Sequence, residues 1–188
     1  MLAHRTATVS EEEFLALPET MTKVELLDGE VIMAPAPSLL HQHVLRRIVR
    51  RLEDWAEAQP DPVFVGQNPV DIRFAPNRIL QPDAFVILGE VDLHHRGPLT
   101  RIPDLCIEVR SPNDHGYDRV TKRLLYAEAG VREYWVAHLD GAMERWWGEG
   151  LADAEQVGDT LTTPLLPGFT LDVRSLARAR TRPTPDGS

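Results

Sequence analysis

The sequence contains a single cysteine, Cys106, in 188 residues. One cysteine excludes an internal disulfide framework and a zinc cluster built from cysteines. Because Cys106 lies in a short apolar run, we expect a small buried side chain rather than a reactive thiol. The sequence also lacks any apolar stretch approaching about 18 residues and any signal-peptide pattern. These absences predict a cytoplasmic protein that does not engage a membrane.

Positive charge is also scarce. The chain has 20 Lys and Arg residues against 29 Asp and Glu residues, which gives a formal net charge of −9. This balance argues against broad, charge-driven binding of nucleic acid, which requires clustered Lys and Arg. It leaves room for a local basic groove. Arg46, Arg47, Arg50 and Arg51 could contact DNA, or they could form the solvated face of a helix.

The hydrophobic and charged fractions, 43% and 26%, are ordinary for a globular protein. The length predicts one domain with its own core. We expect this domain to span residues 10–178, between a flexible N-terminus at 1–9 and a disordered tail at 179–188. Hydrophobic periodicity predicts the element order α-β-β-α-β-β-β-β-α-β-β, an α/β fold with a mixed β-sheet flanked by helices on both sides.

Two short apolar runs predict buried strands, and each has a carboxylate that a purely structural strand would not favour. Asp83 precedes one run, and Glu108 lies inside the other. A bare carboxylate in an apolar sheet is costly unless it is paired, hydrogen-bonded or bound to metal. Two carboxylates on neighbouring strands can hold Mg²⁺ or Mn²⁺, hard ions that prefer oxygen ligands. Asp104 is a competing ligand, but it lies about 13 Å along the strand from Glu108.

A β-hairpin is predicted around Asp28 and Gly29, because a type I′ turn needs positive φ at both positions. This turn pairs Glu25 with Ile32. Glu25 therefore lies on the strand face opposite Leu26. There it either belongs to the acidic site or is a solvated edge-strand carboxylate.

Two helices are predicted to flank the sheet. The first covers about residues 39–58, and its buried stripe begins at His41. His41 is either a core-edge histidine or a neighbour of the acidic site.

The second helix covers about residues 117–129. Asp118, Lys122 and Tyr126 are spaced by four and share one face. Val120 and Leu124 are predicted to lie on a different face that packs inward. Lys122 either forms a surface ion pair with Asp118 or approaches Glu108.

Several of these residues belong to an ordered series of blocks that covers residues 10–175. The blocks are 24–30 (VELLDGE), 35–38 (PAPS) with His41, 81–83 (QPD), 103–112 (PDLCIEVRSP), Asp118 with Lys122 and Tyr126, and 130–135 (GVREYW). In this series the sequence resembles the Uma-type family of putative restriction endonucleases, within the PD-(D/E)XK nuclease superfamily. The resemblance implies a restriction-endonuclease-like α/β fold.

The resemblance also implies roles for particular residues. Asp83 matches the aspartate of the Pro-Asp motif, Glu108 matches the acidic residue of the next core strand, and Glu25 matches an upstream acidic residue that often completes the metal site. The superfamily places lysine two residues after the acidic residue, where this chain has Arg110. Arginine keeps its proton and cannot act as a general base, although it can stabilise phosphate charge. Lys122 would then be the migrated lysine.

The implied activity is Mg²⁺-dependent (or Mn²⁺-dependent) hydrolysis of DNA phosphodiester bonds by an endonuclease. Two alternatives remain open. One is a catalytically inactive binding or assembly protein on a nuclease fold, and the other is a metal-dependent hydrolase of RNA or small phosphodiesters. Trp146 and Trp147 could serve a homodimer interface, or one of them could belong to the core.

Overall fold

The structure, a computed structural model, describes residues 8–18, 23–110 and 116–178. Most of the predicted flexible N-terminus (1–9) and all of the predicted tail (179–188) lie outside these ranges. The helices are α1 (Glu11–Leu15), α2 (Leu39–Ala56) and α3 (Gly116–Ala129). The strands are β1 (Val24–Leu27), β2 (Glu30–Met33), β3 (Val63–Gln67), β4 (Ile72–Ala75), β5 (Arg78–Leu80), β6 (Ala84–Leu88), β7 (Leu105–Arg110), β8 (Glu133–His138), β9 (Met143–Trp147), β10 (Asp153–Gln156), β11 (Thr160–Leu161) and β12 (Leu171–Asp172).

The central sheet has six strands in the order β10-β9-β8-β7-β6-β3. Strands β7 and β8 are parallel and are joined through α3, whereas the other neighbouring pairs are antiparallel. Because side chains alternate between faces, Ile107 packs in the cluster that contains the α2 side chains, and Cys106 packs in the cluster that contains Leu125 and Tyr126 of α3. Cys106 is fully buried, as predicted. The predicted mixed sheet flanked by helices on both sides is confirmed.

A second sheet of four strands, ordered β2-β1-β5-β4, carries the predicted hairpin. Asp28 and Gly29 both have positive φ, and Glu25 pairs with Ile32, so the predicted turn and register are confirmed. Strand β5 was not predicted, since the expected element order has four strands between the second and third helices and the described residues form five. Strands β4 and β5 are joined by a turn at residues 76–77, and Arg78 is the first residue of β5. A strand of three residues is too short to show an alternating pattern in the sequence, and β5 is recognised by its pairing with β1 and β4.

Helix α2 begins after Ser38, whose hydroxyl accepts a 3.1 Å hydrogen bond from the backbone N–H of His41. Its predicted apolar stripe is confirmed by the burial of Val44, Leu45, Ile48, Leu52 and Trp55 against the sheet. None of the helices in the described ranges is both long and apolar enough to span a membrane.

The prediction for the inward face of α3 is wrong. Val120 and Leu124 are 48% and 46% exposed, while Lys122, Leu125 and Tyr126 are buried. The expectation assumed that the inward face of a helix is its most apolar one. Here the inward face covers polar groups on the sheet, so a lysine and a tyrosine lie inside and two aliphatic residues lie outside.

The two adjacent tryptophans are half-buried rather than exposed. The Trp146 ring packs against the cluster beneath α3, and its indole N–H donates a 3.1 Å hydrogen bond to Glu144. The guanidinium of Arg123 lies 4.7 Å from the centre of the same ring. Of the two tryptophans, Trp146 is therefore the one that packs against the core.

Candidate active site

The site lies where the chain crosses from the small sheet to the central one. Residues 81–83 link β5 to β6, and Asp83 immediately precedes β6. Because Ala84 is paired with Ile107, Asp83 lies beside Glu108 on the neighbouring strand. The predicted proximity of these two carboxylates thus follows from the strand register.

Helix α3 holds Glu108 in place. Its Oε1 atom accepts a 2.7 Å hydrogen bond from the Tyr126 hydroxyl and a 3.0 Å hydrogen bond from the Lys122 ammonium. The two donors are one helical turn apart, so both reach the same oxygen. Lys122 is therefore not a surface residue. The side chain of Asp118, the third predicted member of this helix face, lies outside the described part of the structure.

Asp83 is surrounded by four polar groups, which come from β7, from α2 and from the residues that follow β3 and precede β1. Its Oδ2 accepts a 2.9 Å hydrogen bond from the backbone N–H of Val109 and lies 3.2 Å from His41 Nε2. Its Oδ1 accepts a 3.2 Å hydrogen bond from Asn68 and another of 3.2 Å from the Lys23 ammonium. Of the two alternatives for His41, the structure therefore favours a place beside the acidic site.

Glu25 is buried, which excludes the alternative of a solvated edge-strand carboxylate. Its Oε1 accepts a 2.9 Å hydrogen bond from the backbone N–H of Gln81 and a 3.2 Å hydrogen bond from Lys122. Lys122 thereby connects Glu25 on the small sheet with Glu108 on the central sheet. The structure brings all three predicted metal ligands to one place.

Sequence reasoning missed Lys23. Its ammonium lies 3.2 Å from Asp83 Oδ1, 3.5 Å from Glu108 Oε2 and 3.8 Å from Glu25 Oε1. A usable signal was present, since Lys23 is two residues before Glu25 and side chains two apart on an extended chain share a face. Asn68 was also missed. Its place beside Asp83 depends on the pairing of β3 with β6, which its local sequence does not reveal.

The structure separates the remaining candidates. Asp104 precedes β7 and accepts hydrogen bonds from the backbone N–H of Leu88 and from Arg132, neither of which belongs to the acidic site. Arg110 is buried at the last position of β7, two residues beyond Glu108 and on the same strand face.

Two of the four α2 arginines have structural contacts near the C-terminus. Arg47 donates to the carbonyl of Arg178, and Arg51 donates to the carbonyl and hydroxyl of Thr170. Arg46 and Arg50 are exposed.

The charges in the site influence one another strongly. Burial opposes ionisation of Asp83, but the Lys23 ammonium and His41 outweigh it and lower the pKa of that carboxyl. Burial likewise opposes the charge on Glu25, and Lys122 and Lys23 still lower its pKa. Burial, reinforced by the neighbouring carboxylates, raises the pKa of Glu108. Burial also opposes the charge on Lys23, yet the three carboxylates raise the pKa of its ammonium.

Among the described residues, no group of three or more His, Cys, Asp or Glu side chains is arranged to hold a metal ion. The Lys23 ammonium lies within 3.8 Å of an oxygen of each of the three carboxylates. The donor set itself suits a hard divalent ion, since it consists of carboxylate oxygens.

The mixed β-sheet flanked by helices on both sides is the restriction-endonuclease-like α/β fold that the sequence predicted. The chain belongs to the Uma2 family, described as putative restriction endonucleases, whose sequence model matches residues 11–174. The predicted family is thereby confirmed, and membership supports a nuclease in the broad sense.

A solved structure shares the fold. It is the crystal structure of a putative nuclease belonging to DUF820 from Anabaena variabilis, with a TM-score of 0.76 and 20% sequence identity, covering 90% of this chain and 97% of that chain. No curated protein matches the sequence.

Proposed function

We propose that the protein is a Mg²⁺-dependent endonuclease that hydrolyses phosphodiester bonds of DNA. The observation that carries this proposal is the convergence of Asp83, Glu108 and Glu25 on two lysine ammonium groups at the junction of the two sheets. A purely structural core has no need of three buried carboxylates with one buried and one partly buried lysine. Perturbed ionisable groups in such a cluster are typical of functional sites.

The three carboxylates would hold Mg²⁺ or Mn²⁺. When bound, the ion would supply an activated water and charge neutralisation at the phosphodiester. The chain's own residues prepare the ligands, because the Tyr126 hydroxyl and the Val109 backbone N–H fix the orientations of Glu108 and Asp83. Such supporting contacts orient metal ligands in many sites.

Two further side chains supply positive charge for the phosphate. The Lys122 ammonium, held 3.0 Å from Glu108, is placed to orient water or to stabilise developing charge. Arg110 occupies the position at which the superfamily has lysine. Because a guanidinium keeps its proton, Arg110 stabilises phosphate charge and does not act as a base.

The DNA would approach along the N-terminal part of α2. A groove of about 370 Å³ lies there and is lined by Leu39, Gln42, His43, Leu45, Arg46 and Gln67. Two of the lining residues, Gln42 and Gln67, are the chain neighbours of His41 and Asn68. Both of these neighbours contact Asp83, so the groove adjoins the site. The chain as a whole is acidic, with a net charge of −9. Arg46 supplies positive charge locally, at the groove, where it would contact a DNA phosphate.

Cleavage of supercoiled plasmid with Mg²⁺ and with EDTA tests the proposal. We expect nicked and linear products only with the ion, and no products from Asp83→Asn. Asp104→Asn is the matched control, since Asp104 lies close in sequence to Glu108 but bonds to Leu88 and Arg132. Cleavage in EDTA, or an active Asp83→Asn variant, would contradict the proposal.

RNA and bis-p-nitrophenyl phosphate, assayed in parallel, test the alternative of a metal-dependent hydrolase of RNA or small phosphodiesters. Binding of plasmid without cleavage would favour the alternative of a catalytically inactive nuclease fold. The homodimer stays a prediction, to be checked by sedimentation velocity.

A further inference from the structure

Lys23 and Lys122 have different relationships to the three carboxylates. The Lys122 ammonium contacts Glu25 and Glu108 and lies on the α3 side of the cluster. The Lys23 ammonium is within 3.8 Å of Glu25, Glu108 and Asp83 together. Lys23 therefore contacts all three predicted metal ligands at once, whereas the contacts of Lys122 with them are to Glu25 and Glu108.

A divalent ion cannot share the position of the Lys23 ammonium. Because Mg²⁺ takes oxygen ligands at about 2.0–2.1 Å, the carboxylates would have to draw in by about 1 Å or more from their present contacts with Lys23. The ammonium fills the space that this contraction requires.

Lys23 is also the lysine that is able to move. It precedes β1, where its carbonyl accepts a 3.0 Å hydrogen bond from the backbone N–H of Ala34, so its backbone is held in the hairpin. Its side chain is 16% exposed, twice the 8% of Lys122, and ends a flexible four-carbon stem. Lys122 instead lies beneath α3 beside Tyr126.

We infer that the Lys23 ammonium is a resident counter-ion of the metal site, which a divalent ion must displace in order to bind. The inference deepens the proposed function and rests on it for the identity of the ion. In the ion-free protein Lys23 offsets the repulsion among the carboxylates. Once displaced towards solvent, it remains tethered beside the site as a positive charge for the substrate phosphate. Lys23 thus acts through the three carboxylates: it holds their charge in balance in the ion-free protein and competes with the ion for their oxygens.

Calorimetric titration with Mn²⁺ alone tests this inference without any assay of activity. If the state with Lys23 displaced is about one-tenth populated, the apparent Kd is raised about tenfold, so Lys23→Met should bind Mn²⁺ about tenfold more tightly than the wild type. Lys23→Arg is the conservative control. It keeps a permanent positive charge and should remain within about threefold of the wild type.

Thermal melting provides a second measurement. Without ion, Lys23→Met should melt below the wild type, because three carboxylates lose a counter-charge. Mn²⁺ should raise its Tm by more than it raises that of the wild type, as tighter binding to the folded state requires. Lys23→Gln, a polar and smaller change, replaces Lys23→Met in both measurements if the latter does not fold.

The outcomes separate the inference from the proposed function. If the wild type binds Mn²⁺ and the neutral Lys23 variants bind it no more tightly, the inference is wrong while the metal site stands. If the variants bind more tightly but plasmid is never cleaved, the inference stands and the nuclease fails. If neither the wild type nor the variants bind Mn²⁺ even at about 10 mM, the affinity is too weak to be useful. The inference about Lys23 and the proposed metal-dependent function are then both wrong.

Discussion

Glu25 on β1 and Lys122 on α3 are 97 positions apart in the chain, and the Lys122 ammonium donates a 3.2 Å hydrogen bond to Glu25 Oε1. The same ammonium donates to Glu108 Oε1 at 3.0 Å. One side chain therefore connects the small sheet, the central sheet and the crossover helix. The site and the junction between the two sheets are the same set of contacts, which means that changes to the site also affect the packing of the fold.

We expect Asp83→Ala to abolish divalent-ion-dependent cleavage and to weaken Mn²⁺ binding strongly. Loss of residues that merely support metal ligands already lowers affinity by about 10–100-fold, so loss of a ligand should cost at least the upper end of that range. Calorimetric titration with Mn²⁺ measures the affinity, and circular dichroism checks that the fold is intact. Unchanged Mn²⁺ affinity in a folded variant would remove Asp83 from the site.

Glu25→Ala should destabilise the ion-free protein. Removing one partner of a buried ion pair costs up to about 3–5 kcal/mol. Here the Gln81 N–H loses its acceptor, and Lys122 loses one of its two carboxylate partners and keeps Glu108. Urea denaturation measures the loss. Glu25→Gln should cost less, since an amide oxygen still accepts both hydrogen bonds.

Glu155→Ala is the matched control for Glu25→Ala. Glu155 pairs with Arg145, but its side chain is 44% exposed, and an exposed pair contributes about 0–1 kcal/mol. Equal losses from the two variants would mean that the Glu25 pair is no more important to stability than a surface contact.

Parts of this arrangement could be predicted because short-range chemistry determines them. The Asp28-Gly29 turn requires positive φ at both positions, so it determined the hairpin register and thereby the strand face that carries Glu25. The spacing of Lys122 and Tyr126 likewise placed both on one helix face, and both contact Glu108.

Other parts depend on pairing between distant segments. Asn68 reaches Asp83 only because β3 pairs with β6, and β5 lies in the small sheet between the distant β1 and the preceding β4. Lys23 could not be predicted from the superfamily pattern, because that pattern places a lysine after the acidic residue Glu108, whereas Lys23 lies far before it in the chain. Val120 was assigned to the inside because an apolar face is the usual inward one, a rule that fails where a helix covers a polar site.

Tyr126→Phe should lower Mn²⁺ affinity by about 10-fold, the smaller end of the range for residues that support a metal ligand. The physical reason is loss of the 2.7 Å hydrogen bond that orients Glu108. Tyr134→Phe is the matched control, since this second buried tyrosine packs 5.4 Å from the Tyr126 ring. If both variants bind Mn²⁺ as the wild type does, the Tyr126 hydroxyl contributes only to packing.

Lys122→Ala should lower the rate of the chemical step by roughly 10²–10⁴, the usual effect of a positioned acid–base or charge-stabilising group. It should change Mn²⁺ affinity much less. Single-turnover cleavage with saturating enzyme measures the step directly. Glu128→Gln is the control on the same helix, because its carboxylate is exposed and pairs with Arg78 outside the site. A fully active Lys122→Ala enzyme would leave Arg110 as the principal candidate cation.

Arg110 should contribute to substrate binding more than to the chemical step. Its guanidinium keeps its proton, so it can attract a phosphate but cannot take a proton from water. Arg110→Lys should therefore retain activity, since the positive charge is kept. Arg110→Ala should raise the DNA concentration needed for half-maximal single-turnover rate while the limiting rate falls less. If the limiting rate falls and that concentration stays constant, Arg110 acts in the chemical step itself, and the division of roles between Arg110 and Lys122 is wrong.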